Sequence, residues 1–237
     1  MKTNRNTSKV FGSLIAGLTV ILFFSGCSKD NNPVDASTNT ANEPVISTYT
    51  SPTRGWYHIQ NTNNLTSTGK AESPTSGGGG WMTGYANINV GIFAHPVVTT
   101  YLENDYSGDP GDYRVETNFR WKGSIAGNGI AGAGAHVEIT MEIRDMNNNI
   151  IKTYDIHDKE VKNSNLQIGG IIDEGNKNIA VDFTLPNGQS GFKVRFVMKT
   201  EAWSGLLGAI TQCHFWDREY LGRGCGWSTL KITQLND

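Results

Sequence analysis

Cysteine is scarce in this 237-residue chain: there are three, and none forms a Cys-x-x-Cys pair. That removes the usual sequence support for a thiol redox centre or a cysteine-based zinc site. The histidines, His58, His95, His136, His157 and His214, show neither the His-x-x-x-His nor the His-Glu-x-x-His spacing, so zinc has no sequence support. No Gly-x-Ser-x-Gly elbow is present, and paired carboxylates for glycoside hydrolysis could be drawn from several segments with no reason to prefer one. Basic charge is short too. Lys2, Arg5 and Lys9 are the only charges before residue 27, so the remainder carries 17 Lys+Arg against 22 Asp+Glu, a net charge of −5. A mildly acidic chain argues against nucleic acid as a partner, because phosphate binding needs a basic patch. The apolar run from Val10 to Phe24 is shorter than the roughly 18 residues of a spanning helix, and Gly12, Ser13, Gly17 and Thr19 dilute it. Helical stripes are missing as well.

What is present is glycine, with 28 residues, and a period of two. Tyr113, Val115, Thr117, Phe119 and Trp121 alternate with Arg114, Glu116, Asn118, Arg120 and Lys122. Val137, Ile139, Met141 and Ile143 alternate with Glu138, Thr140, Glu142 and Arg144 in the same way. Phe192 to Met198 and Ile179 to Leu185 repeat the pattern, and a last strand is expected over about 226–235. One face of each such strand belongs in a core and the other in water. Strands apolar on a single face suit antiparallel sheets, since parallel strands would be apolar on both. The expected fold is therefore all-β, an antiparallel two-sheet β-sandwich of jelly-roll-like form. Turn-rich Asp145–Asn149 and Pro186–Gly188 are expected to close hairpins. The mixed-sign outer rows read first as a solvated face.

Three segments precede or interrupt that pattern. Residues 1–26 have a basic start, a short apolar stretch and small residues before Cys27, the order of a secretory signal peptide. Residues 27–53 are Ser/Thr/Asn/Pro-rich and too polar to offset chain entropy, so they read as a tether. The sandwich is expected over 54–237, its first strand at about 54–60 and a flexible Gly/Ser/Thr-rich loop at 61–80. In a second reading the tether simply continues to residue 80.

Phe24-Ser25-Gly26-Cys27 resembles the lipobox of bacterial lipoproteins. That resemblance implies cleavage before Cys27, a diacylglyceryl thioether on its sulfur and an acylated, palmitate-type N-terminus, so that the partner is a membrane. Two or more acyl chains anchor stably where one is marginal. Ser28-Lys29-Asp30 is similar to the short signals that send Bacteroidota-like lipoproteins to the cell surface, and the expected location is the cell envelope, at the outer membrane. The resemblance covers about 30 residues and says nothing of the domain.

Within the domain, Cys213 and Cys225 form an even pair in an exported chain, and one disulfide is the simplest expectation. The loop they bound holds His214, Phe215, Trp216, Asp217, Arg218 and Tyr220. Aromatic and Arg side chains dominate binding hot spots, which makes this loop the candidate ligand-binding site. The alternative is that Phe215 and Trp216 fold down to plug one end of the sandwich. Glu103, Asp105, Asp109 and Asp112 lie close together on a turn-rich segment, where hard oxygen ligands would suit a structural calcium; Asp is equally an ordinary turn residue. Gly127-Asn128-Gly129-Ile130-Ala131-Gly132 spells a dinucleotide fingerprint, but strand-period residues follow it instead of a helix, so no nucleotide is expected. The leading functional reading is a lipid-anchored binding module presenting end loops to a glycan or envelope protein. Its rivals are a carbohydrate-active lyase or hydrolase, which would need His136, Glu138 and Arg195 to converge in a cleft on a concave sheet face, and a structural envelope subunit.

Overall fold

The computed structural model describes residues 45–60, 66–73, 80–129, 132–162, 171–205, 209–216 and 222–235. Among them are twelve strands and no helix: β1 (Val45–Tyr49), β2 (Arg54–Gln60), β3 (Ser67–Glu72), β4 (Gly80–Gly91), β5 (Val97–Ser107), β6 (Gly111–Gly129), β7 (Gly134–Asp145), β8 (Ile150–Lys162), β9 (Ile171–Leu185), β10 (Gly191–Trp203), β11 (Ala209–Phe215) and β12 (Gly224–Gln234). Seven of them, β1, β3, β4, β6, β9, β11 and β12, form one sheet, and the others form a second in the order β2-β5-β10-β7-β8. Every pairing is antiparallel. From β4 onward the chain crosses repeatedly between sheets, as in a jelly roll. This is the two-sheet β-sandwich that the alternation implies.

The alternating rows meet between the sheets. Val115 and Phe119 of β6 and Ile179 and Val181 of β9 face Val137, Ile139 and Met141 of β7 and Phe192, Val194 and Phe196 of β10, and all are buried. Phe119 stacks on Phe196 at 5.1 Å, and Phe196 in turn meets Trp227 at 4.5 Å. Each fully buried Phe or Leu contributes about 1.5–3 kcal/mol, so these rows hold the two sheets together.

Four boundaries differ from the sequence reading. Residues 45–49, assigned by composition to the tether, pair with Leu230–Thr233 as β1. Part of the expected loop at 61–80 is β3, which pairs with Ile88–Thr83 of β4 through its backbone, its polar side chains giving little sign of it. Strands β9 and β10 lie in different sheets, so Pro186–Gly188 turns a corner between sheets instead of closing a hairpin. Residues 123–129, a small-residue stretch that by composition would be a hairpin connection, complete β6, and β7 follows as a strand.

The expected disulfide is absent: Cys213 and Cys225 are free and buried. Registers explain why. Cys213 lies opposite Ala86 and Ile125, while Cys225 lies opposite Met82 and Trp121. Both β11 and β12 thus run between β4 and β6, end to end along one line, with residues 216–223 between them. Four residues of rise on either neighbour separate the cysteines, about 13 Å, whereas a disulfide needs Cα atoms within about 7 Å. Phe215, opposite Gly84, fills the gap. Burial pushes both thiols well above their ordinary value, and Cys225 Sγ rests 3.4 Å from Met198 Sδ.

Candidate functional site

The outer face of the five-stranded sheet carries polar and aromatic side chains that are partly open to solvent. Its registers lay them out in rows. One row reads Trp56–Tyr101–Val197–Thr140–Asp155 from β2 to β8, and the next reads Arg54–Glu103–Arg195–Glu142–Thr153. On the other side of the aromatic row come His58–Thr99–Lys199–Glu138–Asp158 and then Gln60–Val97–Glu201–His136–Glu160.

Trp56 and Tyr101 are cross-strand neighbours whose rings stack at 4.9 Å and 11°. The Arg195 guanidinium lies 4.9 Å from the centre of the Trp56 ring, a cation–π distance. Arg195 is itself fixed, because its Nε and Nη2 donate to Glu103 Oε2 at 2.7 and 2.6 Å. Arg54 Nη2 donates to Glu103 Oε1 at 2.7 Å and to Asp105 Oδ1 at 2.7 Å. Glu103 is 1% exposed although it stands on the outer face, because the two arginines roof it. Charge-assisted pairs of this kind hold side chains in a single geometry. The aromatic pair is thereby presented in a fixed orientation on the sheet.

About 13 Å along the strands, four residues of rise from Tyr101 to Val97, lies a recess of about 410 Å³ walled by His95, His136, Asp158, Glu160, Glu201 and Trp203. His136 Nδ1 is 2.7 Å from Glu201 Oε1 and its Nε2 is 2.7 Å from Asp158 Oδ1. With a carboxylate at each nitrogen, the doubly protonated ring satisfies both. Burial pushes His136 down, but its hydrogen bonds to Glu201 and Asp158 outweigh burial and leave it above 6.5. Burial likewise raises Glu201, and hydrogen bonds from His136 and Lys199 reverse this, leaving it below 4.5.

The binding residues expected in the loop after β11 fare differently. His214 is 3% exposed, Phe215 is fully buried and Trp216 is 6% exposed. Phe215 and Trp216 are therefore packed inside, the plug alternative, and do not form an exposed hot spot. His214 is held edge-on to Tyr85 at 4.7 Å, and Arg223 Nη1 donates to its Nδ1. Asp217, Arg218 and Tyr220 lie outside the described residues, as does the lipidation candidate Cys27. The four acidic residues do not assemble into a calcium site. Glu103 and Asp105, both on β5, are engaged by Arg54 of β2 and, for Glu103, Arg195 of β10, while Asp112 accepts a hydrogen bond from Thr184 and the Asp109 carbonyl accepts one from Tyr113. No group of three or more His, Cys, Asp or Glu suited to a metal occurs among the described residues. Nor do His136, Glu138 and Arg195 converge: they occupy three different rows, with Arg195 committed to Glu103. The aromatic pair escaped the sequence reading because Trp56 and Tyr101 lie in segments without clean alternation.

No family model matches the chain, and no curated protein is similar to it. Solved structures resemble it at low identity. A carbohydrate-binding module of the β-sandwich superfamily, studied for promiscuous specificity, has a TM-score of 0.28 at 8% identity, covering 77% of this chain and 56% of that one. TmCBM61, solved with β-1,4-galactotriose, has a TM-score of 0.24 at 10% identity, covering 76% and 88%. The CBM22-1–GH10 part of Clostridium thermocellum xylanase 10B, solved with xylohexaose, has a TM-score of 0.23 at 13% identity, covering 75% and 26%. The chain spans just over half the length of the first of these.

Proposed function

We propose that the chain is a glycan-binding module, lipid-anchored through Cys27 at the cell envelope, which grips a largely uncharged sugar chain on the outer face of its five-stranded sheet. The observation that carries this reading is the Trp56–Tyr101 stack, partly exposed and clamped by Arg195. Rigid aromatic rings offer large apolar area at little entropy cost, and the C–H face of a sugar ring matches them. Hydroxyl groups beside that face need donors and acceptors together; Lys199, His58, Thr99, Thr140, Glu138 and Asp158 supply both. A protein partner would call for an apolar centre depleted of charge, which these rows lack. Arg54 and Arg195 are balanced by Glu103 and Asp105, which favours neutral sugars at the aromatic pair. The tether between Cys27 and β1 could span up to about 60 Å when extended, enough to hold the sandwich clear of the bilayer.

Affinity electrophoresis of the full chain against a panel of neutral polysaccharides tests the reading. At least one should retard the wild type, and Trp56→Ala should weaken retardation by about tenfold or more with little change in the denaturation midpoint. Retardation unaffected by Trp56→Ala, or no retention by any glycan, would overturn it.

A further inference from the structure

The opposite side of the molecule, the outer face of the seven-stranded sheet, holds a larger recess of about 700 Å³, well within the size of small-ligand sites. Its walls follow from the registers of four neighbouring strands. Trp81 of β4, Gly226 of β12, Arg120 of β6 and Asn176 of β9 form one row, and Gly224, Lys122 and Glu174 lie in the next. At both rows β12 contributes no side chain and the Trp81 indole lies over Gly224, so the trough lies between that indole and the cations of β6, with Gly222, Gly175 and Asn176 in its lining. The glycine at 226 is obligatory: a Cβ there would sit 1.6 Å from the Gly80 carbonyl oxygen. Trp81 is fixed by its Nε1–H, which donates to the Arg223 carbonyl at 3.3 Å. Trp121 also borders the recess, but its ring turns to the inner side, against Gly175 and stacked on His157 of β8 at 4.5 Å.

The charge of the trough differs from that of the proposed glycan face. Lys122 is paired with Glu174 at 3.3 Å, and both are more than half exposed. Arg120 has no carboxylate partner among the described residues; its guanidinium lies 5.8 Å from the Trp81 ring. Among the described residues the trough therefore keeps a surplus positive charge, carried by a planar fork suited to a carboxylate, on a chain whose net charge is −2. An indole wall beside a guanidinium that has no carboxylate partner among the described residues matches a pyranose ring that bears a carboxylate.

We propose that this trough is a second, independent site that takes an acidic sugar, a hexuronate unit, with its ring against Trp81 and its carboxylate on Arg120. It goes beyond the neutral-glycan face and does not depend on it. Calorimetric titration of the full chain in detergent with trigalacturonate, its methyl ester, galactotriose and sodium sulfate tests it. Trigalacturonate should bind about tenfold or more tightly than its ester, the discrimination one charge-assisted hydrogen bond supplies. Arg120→Gln should erase that preference, Arg120→Lys should restore it in part, and Trp56→Ala should leave it intact. Lys122→Gln, at a half-exposed position, gives a variant expected to fold and to weaken the acid selectively. Equal binding of acid and ester, or acid binding unchanged by both Arg120→Gln and Lys122→Gln, would overturn the proposal. So would sulfate binding as tight as the uronate's, which would mean a generic anion site, or loss of acid binding in Trp56→Ala.

Discussion

Replacing Glu103 by Gln keeps the side chain's shape and removes its charge, at a carboxylate that is 1% exposed and gripped from two strands. The amide would turn donors toward donors and leave Arg195, whose side chain is 13% exposed, without its counter-charge. Removing one partner of a buried pair costs about 3–5 kcal/mol. The low end applies here, for two reasons. Arg54 is half exposed and keeps Asp105, so solvent screens most of its loss. Arg195 keeps a long contact to Asn148 Oδ1 at 3.4 Å and its place over Trp56. A loss of about 3 kcal/mol, with an m-value of about 2 kcal/mol per molar urea, moves the urea midpoint down by about 1.5 M.

A double variant, Glu103→Gln with Arg195→Met, separates pairing from packing. Once the stranded charge is gone, most of the penalty should go with it, so the double variant should be more stable than the single one. A midpoint within about 0.25 M of wild type for Glu103→Gln, corresponding to about 0.5 kcal/mol, would show that the carboxylate is not held in this way. A double variant as unstable as the sum of its parts would equally refute the argument. Binding should follow, because loss of the Glu103 anchor frees Arg195 from the aromatic pair.

Two further outcomes are expected. Reductant should leave the thermal midpoint unchanged, and thiol titration of the chain carrying Cys27→Ser should find two reactive cysteines only after denaturation; a linked Cys213–Cys225 peptide in an unreduced digest would contradict the register argument. Because His136 is raised in the folded state, its stabilisation is complete below 6.5 and fades as pH rises through the higher folded value. Glu201 is lowered, so its stabilisation is complete above 4.5 and fades as pH falls through the lower folded value. This cluster should therefore contribute most between those two values. His136→Gln should flatten the alkaline arm of the stability profile, and parallel profiles for wild type and variant would refute the assignment.

Period-two alternation made the inner rows of β6, β7, β9 and β10 readable, because each row must be apolar to enter the core. Polar β3 was not readable: its place depends on a backbone ladder with β4, and backbone hydrogen bonds leave little trace in side-chain pattern. Glycine misled in a related way. Turns explain some of the 28, but Gly80, Gly134 and Gly175 sit within strands, where added Cβ atoms would lie 2.2–2.5 Å from the rings of Trp227, Trp203 and Trp121. These rings pack on a neighbouring glycine, so these three glycines are strand floors under tryptophan. The expected disulfide failed for the same reason: pairing the cysteines by proximity in sequence ignored that β11 and β12 run end to end along one line.

The candidate sites were less legible than the fold, and the cause is sequence distance. Glu103 is joined to Arg54 across 49 residues and to Arg195 across 92, and His136 meets Glu201 across 65. Alternation shows that each of these residues points outward; it does not show which strands become neighbours. Strand order decides that, and crossings between sheets scramble it: β5 is followed in the chain by β6 but flanked in its sheet by β2 and β10. An outward arginine thus reads as an ordinary solvated charge until the sheet order sets it beside a carboxylate and an indole. The same crossings put Trp56 and Trp81, only 25 positions apart, on opposite outer faces. That separation is why the two proposed sites, an aromatic pair flanked by balanced charges and a trough whose described residues carry a surplus positive charge, can be tested by substitutions that do not touch each other.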